Sequence, residues 1–342
     1  KSRPRSTMVR ASSTSGRDPI SPLELESPVG QLLSQALQTH PHLLMAAVEQ
    51  QLENLQRQRD EGKKEPSRPQ SKNTASTPSS DDVLYKRIAE FKEKERRKAV
   101  EEIMYCLIVH RFVDNNISMI PKISTSMDER VDLWPNQEQK LESVHSPEAF
   151  EMVLSHLSLV LGERMTTTTG GPSEDPSVVQ ISKIKLGKLY ASSIMYGYFL
   201  RRVDERYQLE RSVNTLPPPV GRQLWDPASL IRIYPDGAAY PEDDGSHKLR
   251  SYVMYLDAET LQKYATMRSK EALSLIEKQT QAVFGKPEIS VTEEGSLDAA
   301  DDETFSVSFP DLTVLVLEAV AFGSFLWDAE TFVESKYSFV NA

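Results

Sequence analysis

The chain has 342 residues, 40 Lys and Arg against 50 Asp and Glu for a net charge of −10, and a single cysteine, Cys106. That length suits about two domains, or one with long insertions. One cysteine excludes an intrachain disulfide framework and a multi-cysteine zinc site. The acidic balance argues against phosphate neutralisation as the main task, so no nucleic-acid partner is expected, and no run of about 18 apolar residues predicts a transmembrane segment.

Residues 1–17 hold five basic residues (Lys1, Arg3, Arg5, Arg10, Arg17) and no acid, and Ser and Thr make up most of the rest. This is the composition of an organelle transit peptide, with cleavage expected near Ala11. Residues 1–11 carry four basic residues and no acid, so cleavage takes the net charge from −10 to −14. Residues 12–26 are expected to be disordered.

A first helical unit is predicted over 27–116. Ser27-Pro28 is a helix start, with Ser as N-cap and Pro in the first turn. Val29, Leu32, Leu33, Ala36 and Leu37 then share one face. Pro41 should break this helix, and a second stripe follows through Leu44, Val48, Leu52 and Leu55. Residues 61–80 contain Ala75 alone as an apolar residue and read as a linker. Asp81 and Asp82 cap a long helix running to about Asn115, charged in its first half and apolar in its second. The charged half, with the unbroken run Lys92–Lys98, is read as a solvated face, with a binding surface as the sharper alternative.

Ser146-Pro147 repeats the start signal and opens a second unit over 146–211. Its first helix ends at Gly162. Val179, Ile181 and Ile184 are predicted to begin another helix, continuing through Tyr198 and Val203. Six prolines mark 212–248 as an irregular insertion. The third unit, 249–342, opens with one helix from about Asp257 through Leu261, Tyr264, Ala272, Leu275 and Ile276, ended by Gly285 and Pro287. Alternation at Ile289 and Val291, and again at Phe305, Val307 and Phe309, predicts a β-hairpin over 287–310. Residues 312–327, LTVLVLEAVAFGSFLW, are apolar nearly all round and predict a central core helix.

Three of these helices share a local pattern. Ile103-Met104-Tyr105-Cys106, Ile194-Met195-Tyr196-Gly197 and Val320-Ala321-Phe322-Gly323 each place an aromatic residue before a small one. The reading is a degenerate repeat of helical pairs. Glycine inside a helix costs about 1 kcal/mol against alanine, so Gly197 and Gly323 need a packing reason, namely close approach of helix backbones.

No phosphate-binding glycine loop and no nucleophile elbow is present. His40 and His42 flank a helix break, and the lone Glu-x-x-His spacing, Glu142 and His145, falls in a loop. Neither is read as a metal site. The acidic residues between 293 and 303 lack the order of a calcium loop. Glu318 stands out because a carboxylate in an apolar helix must be paired or protonated. Arg111, Arg201, Arg202 and Arg268 are its candidate ion-pair partners, and a general acid or base is the sharper reading. The expectation is therefore no catalytic residue, no cofactor and no metal.

Long phrases carry a family resemblance: HPHLLMAAVEQQLENLQ (40–56), LYKRIAEFKEKERRKAVEEIMY (84–105), ISKIKLGKLYASSIMYGYFLRRVDERYQLE (181–210) and VLEAVAFGSFLWDAE (316–330). The chain resembles the plant UV-B-induced chloroplastic protein family, whose shared region is domain of unknown function 760. The resemblance implies a chloroplast protein, stromal or at the thylakoid periphery, with no established catalytic residues. It also implies protein partners, with the plastid protease and chaperone system as one candidate.

The sequence predicts a mainly α fold of repeated antiparallel helical pairs, with a small β-hairpin and disordered insertions. The expected function is non-catalytic binding or regulation, or client status in that protease and chaperone system. The alternatives are an enzyme or small-ligand protein with a pocket near Glu318, and a peripheral thylakoid protein.

Overall fold

The computed structural model describes residues 20–64, 80–123, 137–162, 178–213, 215–216, 249–286, 289–291, 297–299 and 303–339. The transit-peptide stretch 1–11, the centre of the 61–80 linker, nearly all of the Pro-rich insertion and most of the acidic loop lie outside the described residues. Those described form ten α-helices and four short strands, a mainly α fold as the sequence predicts.

The N-caps place the helices. Ser27 accepts a hydrogen bond from the Gly30 amide at the start of α1 (Pro28–Thr39). A 3₁₀ turn over Pro41–Leu43 then separates α1 from α2 (Leu44–Lys64), which is the predicted effect of Pro41. The long α3 runs Ser80–Asp114. A short α4 (Glu138–Glu142) precedes α5 (Pro147–Leu161), which Ser146 caps. Then come α6 (Lys183–Ser212), α7 (Leu249–Tyr255), α8 (Ala258–Ala265), α9 (Lys270–Phe284) and α10 (Phe309–Lys336).

At the centre, α10 packs most extensively against α6 and next against α3. Every residue from Val314 to Trp327 is buried. By length and composition this helix could cross a membrane, but 83% of its most apolar window is covered by the rest of the protein. It is the core helix, with Tyr105, Tyr190, Tyr198 and Phe112 among the largest fully buried side chains.

Three local expectations are corrected. Val179 and Ile181 do not begin a helix: β1 (Val178–Ser182) precedes α6. Phe305 and Val307 do not close the predicted hairpin: β2 (Ile289–Val291) pairs with β3 (Leu297–Ala299), while β4 (Thr304–Ser308) pairs antiparallel with β1. Phe309 already belongs to α10. The single helix from Asp257 is two, because Ser269 accepts from the Ala272 amide and starts α9 afresh.

The second and third units are two copies of one motif. Helices α5 and α9 both have 15 residues, start at a capping serine and end at a glycine of positive φ: Gly162 (φ 72°, ψ 173°) and Gly285 (φ 82°, ψ 171°). Downstream of each, a five-residue strand, β1 or β4, leads directly into a long helix capped by Ser182 or Ser308. One sequence offset takes Ser182 to Ser308, Ile194 to Val320, Gly197 to Gly323 and Asp204 to Glu330. It also takes Gln180 to Ser306, and these two face each other at the centre of the β1–β4 ladder. The two copies therefore meet about a local two-fold axis.

The glycines lie beside that axis. A methyl group on Gly197 would sit 2.0 Å from the Val320 carbonyl oxygen, and one on Gly323 would sit 1.9 Å from the Ile194 carbonyl oxygen. The contact is reciprocal, as two-fold symmetry requires. The packing reason that the sequence demanded is thus a backbone-to-backbone crossing of α6 and α10.

Candidate functional site

Three buried carboxylates are held by the serine that caps the preceding short helix of the same unit. Ser27 Oγ donates to Glu102 on α3 at 2.6 Å. Ser146 Oγ donates to Asp204 on α6 at 3.0 Å. Ser269 Oγ donates to Glu330 on α10. Each hydroxyl also accepts a helix-start amide, so one side chain ends a helix and staples it to its neighbour. Glu102 lies three residues before Tyr105, whereas Asp204 and Glu330 lie eight after Tyr196 and Phe322. The first unit is accordingly a looser relative of the other two.

Glu102 also accepts from the Glu26 and Ser27 amides, at 3.1 and 2.9 Å. Residues 20–26 are therefore not disordered. Leu25 and Ser27 flank Glu26 in a seated segment against α3, and Lys98 pairs with Glu26.

Glu318 differs from these stapled carboxylates. It is fully buried, and no arginine reaches it. Arg111 and Arg201 both pair with Asp328, at 3.5 and 2.9 Å. Arg202 donates to the carbonyls of Lys263 and Thr266, and Arg268 pairs with Glu334. The partner of Glu318 is instead the Tyr190 hydroxyl, at 2.8 Å from Oε2, while Oε1 makes no hydrogen bond to described residues. Burial raises its pKa from 4.5 to about 7, with the Tyr190 hydroxyl and the Ile120 backbone amide pulling the other way. The buried ion pair is replaced by a half-satisfied carboxyl group.

This has a consequence for stability. A raised carboxyl pKa makes a contribution that is whole below pH ~4.5 and is lost as pH rises through about 7. The complete loss is about 3 kcal/mol, most of it between pH 5 and pH 8. Glu318→Gln abolishes it. Urea unfolding at the two pH values is expected to show the variant gaining on the wild type by that amount at pH 8. An equal difference at both values would refute the assignment.

The histidines do not assemble. His40 and His42 are exposed, with ring centroids 6.0 Å apart. His145 follows α4, and burial pushes its pKa down to about 4. His156 stacks on Tyr196 and meets Ser193 Oγ at 3.2 Å. Among the described residues no group of three His, Cys, Asp or Glu side chains is placed to hold a metal. Clefts border α3, and none of them reaches Glu318.

The most unusual surface is the outer half of α3. Every residue from Val83 to Lys92 is exposed. Leu84, Ile88 and Phe91, at 56, 42 and 62% exposure, form a stripe at i, i+4, i+7 spacing with Tyr85 beside it. Around it, residues 83–98 hold seven basic and three acidic side chains in a chain that is otherwise strongly acidic. A groove of about 880 Å³ runs from Phe91 between α3 and α2, lined also by Asn54, Leu55 and Gln58. A second, of about 1150 Å³, lies on the other flank toward Lys278 and Gln281 of α9. The charge run was legible in the sequence. The apolar stripe inside it was missed, although its helical spacing was there to be counted.

The chain is 48% identical over 365 aligned residues to the UV-B-induced protein At3g17800, chloroplastic, of Arabidopsis thaliana, covering 98% of this chain and 83% of that one. It belongs to that family. Residues 83–213 match the family model described as Protein of unknown function (DUF760). The matched region begins at the exposed stripe of α3 and runs through α6. No solved structure matches the chain.

Proposed function

We propose that this protein is a non-catalytic binding or regulatory protein of the chloroplast stroma, which docks an acidic amphipathic segment of a partner protein on the outer half of α3. The observation that carries this reading is the exposed Leu84, Ile88, Phe91 stripe within a basic segment. An apolar helix face that no other part of the described protein covers is costly in water and suits a partner helix laid along it. Lys86, Arg87, Lys92 and Lys94 form no ion pair with described residues, so their charge is available to acids flanking the partner's apolar face. Chloroplast location is supported by the relative's name and by the basic, acid-free amino terminus. Fractionation of intact chloroplasts, with a carbonate wash of the membranes, separates stroma from thylakoid periphery.

A direct test uses two synthetic helical peptides with the same leucine stripe, one flanked by glutamates and one by lysines. Fluorescence anisotropy with the full chain should show binding of the acidic peptide alone, weakening as salt rises. Phe91→Ser, or Lys86→Glu with Arg87→Glu, should cut its affinity about tenfold or more, because all three sit at the centre of the contact. Equal binding of both peptides, or no effect of the substitutions, would overturn the reading. Self-association on light scattering that Phe91→Ser abolishes would also overturn it, by making a second copy the occupant.

A further inference from the structure

The hydrogen bonds around Glu318 do not stop at Tyr190. Gln279 Nε2 on α9 donates to the Tyr190 hydroxyl oxygen at 3.1 Å. The Tyr105 hydroxyl on α3 donates to Gln279 Oε1 at 3.1 Å. The Leu23 amide donates to the Tyr105 oxygen at 3.3 Å. Every donor along this line points the same way, from the segment before α1 inward to Glu318. Such a polarity demands a terminal acceptor, which an ionised carboxylate is and a protonated one is only in part.

The line crosses the seam where the first unit meets the duplicated pair. It is not part of the motif that the copies share. The counterparts of Glu318, Tyr190 and Gln279 are Ser192, which is exposed, Val316 and His156, and they form no such line. The outer end forms one wall of an open-sided cleft of about 320 Å³, lined by Ile20, Leu23, Leu25, Tyr105 and Cys106.

We infer that Glu318 is the inner end of a proton-sensitive latch: the ionised carboxylate draws the hydrogen-bond line that holds residues 20–25 over Tyr105, and protonation loosens that segment and widens the cleft beside Cys106. The titratable groups facing Glu318 are the phenols of Tyr190 from α6 and Tyr105 from α3. Helix α9 presents the neutral Gln279, and the segment after α3 presents the Ile120 amide. The Cys106 thiol lies beyond Tyr105. Burial holds both phenols and the thiol protonated at neutral pH, so the carboxyl group is the member of this set that titrates there. Glu102 continues to anchor Glu26 and Ser27 in either state, so the motion is confined to the residues before them.

Cys106 is the chain's only cysteine and borders the cleft, so its labelling reports the latch. The experiment measures the alkylation rate of the full chain with a maleimide between pH 6 and pH 8.5, as the ratio of Glu318→Gln to wild type. Taking the ratio cancels the intrinsic pH dependence of the thiol. The ratio should be near one at pH 6 and rise to about tenfold at pH 8.5, a typical coupling between two sites. Global unfolding works in the opposite direction, because the variant gains stability over the wild type at high pH. Tyr105→Phe cuts the line at its outer end and should label fast at every pH, with circular dichroism confirming that it remains folded. A ratio that stays constant with pH, or a folded Tyr105→Phe that labels as slowly as wild type, would overturn the latch.

Discussion

Alanine at Gly197 or at Gly323 is expected to destabilise the protein by about 3 kcal/mol, lowering Tm by roughly 5–10 °C. The two methyl groups would lie 2.0 and 1.9 Å from carbonyl oxygens of the opposing helix. Those oxygens belong to the backbone, so no rotamer change relieves the overlap, and α6 and α10 have to move apart. Separation loosens the central helix pair and strains the hydrogen bond of Ser324 Oγ to the Gly197 carbonyl across the crossing, at 3.3 Å. Against this, alanine recovers about 1 kcal/mol of helix propensity. Gly187, on the same helix, provides the control. Its nearest neighbour to an added methyl is Thr280 Cγ2 at 3.7 Å, an ordinary contact. Gly187→Ala is therefore expected to stabilise by about 0.5–1 kcal/mol. One separation of the helices relieves both overlaps, so the Gly197→Ala, Gly323→Ala double variant should lose less than the sum of the singles. Chemical denaturation of the four variants measures all of this, and a neutral Gly197→Ala would show that the helices do not cross as closely as described.

The same residues show what a sequence reveals and what it hides. Gly197 and Gly323 were legible because glycine in a helix is costly without a reason, and their shared phrase exposed the repeat. Ser27-Pro28 and Ser146-Pro147 were legible as helix starts because two local signals coincide. Ser269 lacks the proline, and a continuous apolar stripe runs past it, so the break before α9 was read through. Strand β1 is only five residues long and abuts α6, and the strand that defines it, β4, lies far along the chain. No local pattern reports such a partner, and β4 was assigned instead to the nearest alternating segment. Glu318 was correctly singled out, but its partner was sought among arginines. A buried carboxyl that titrates near neutrality asks for a hydroxyl as readily as for a cation, and the hydroxyl that meets it, that of Tyr190, lies 128 residues away in the chain. The buried staples were beyond reach for the same reason: Ser269 and Glu330 are each ordinary residues, and only the fold brings them together.

Glu330 should be the least replaceable carboxylate in the protein. It is fully buried, and two hydroxyls, those of Tyr198 and Ser269, donate to its two oxygens. Both hydroxyl oxygens are already engaged as acceptors, Tyr198 from the Arg268 amide at 3.3 Å and Ser269 from the Ala272 amide at 3.1 Å. Neither hydroxyl can turn around without abandoning a backbone amide. Glu330→Gln therefore sets an amide donor against one hydroxyl donor and is expected to cost about 2 kcal/mol. Glu330→Ala adds a cavity and strands both hydroxyls, for about 4 kcal/mol. Ser269→Ala removes a helix cap and one of the two donors together, and should cost about 2–3 kcal/mol. Ser146→Ala, its counterpart in the other copy, should cost nearer 1 kcal/mol, because Asp204 keeps the Gln208 amide at 3.1 Å. Urea titrations of the set would read the order directly, with Glu318→Gln near neutral at pH 5 for comparison. If Ser146→Ala proved as damaging as Ser269→Ala, the cost would lie in the helix cap alone, and the staple would contribute nothing.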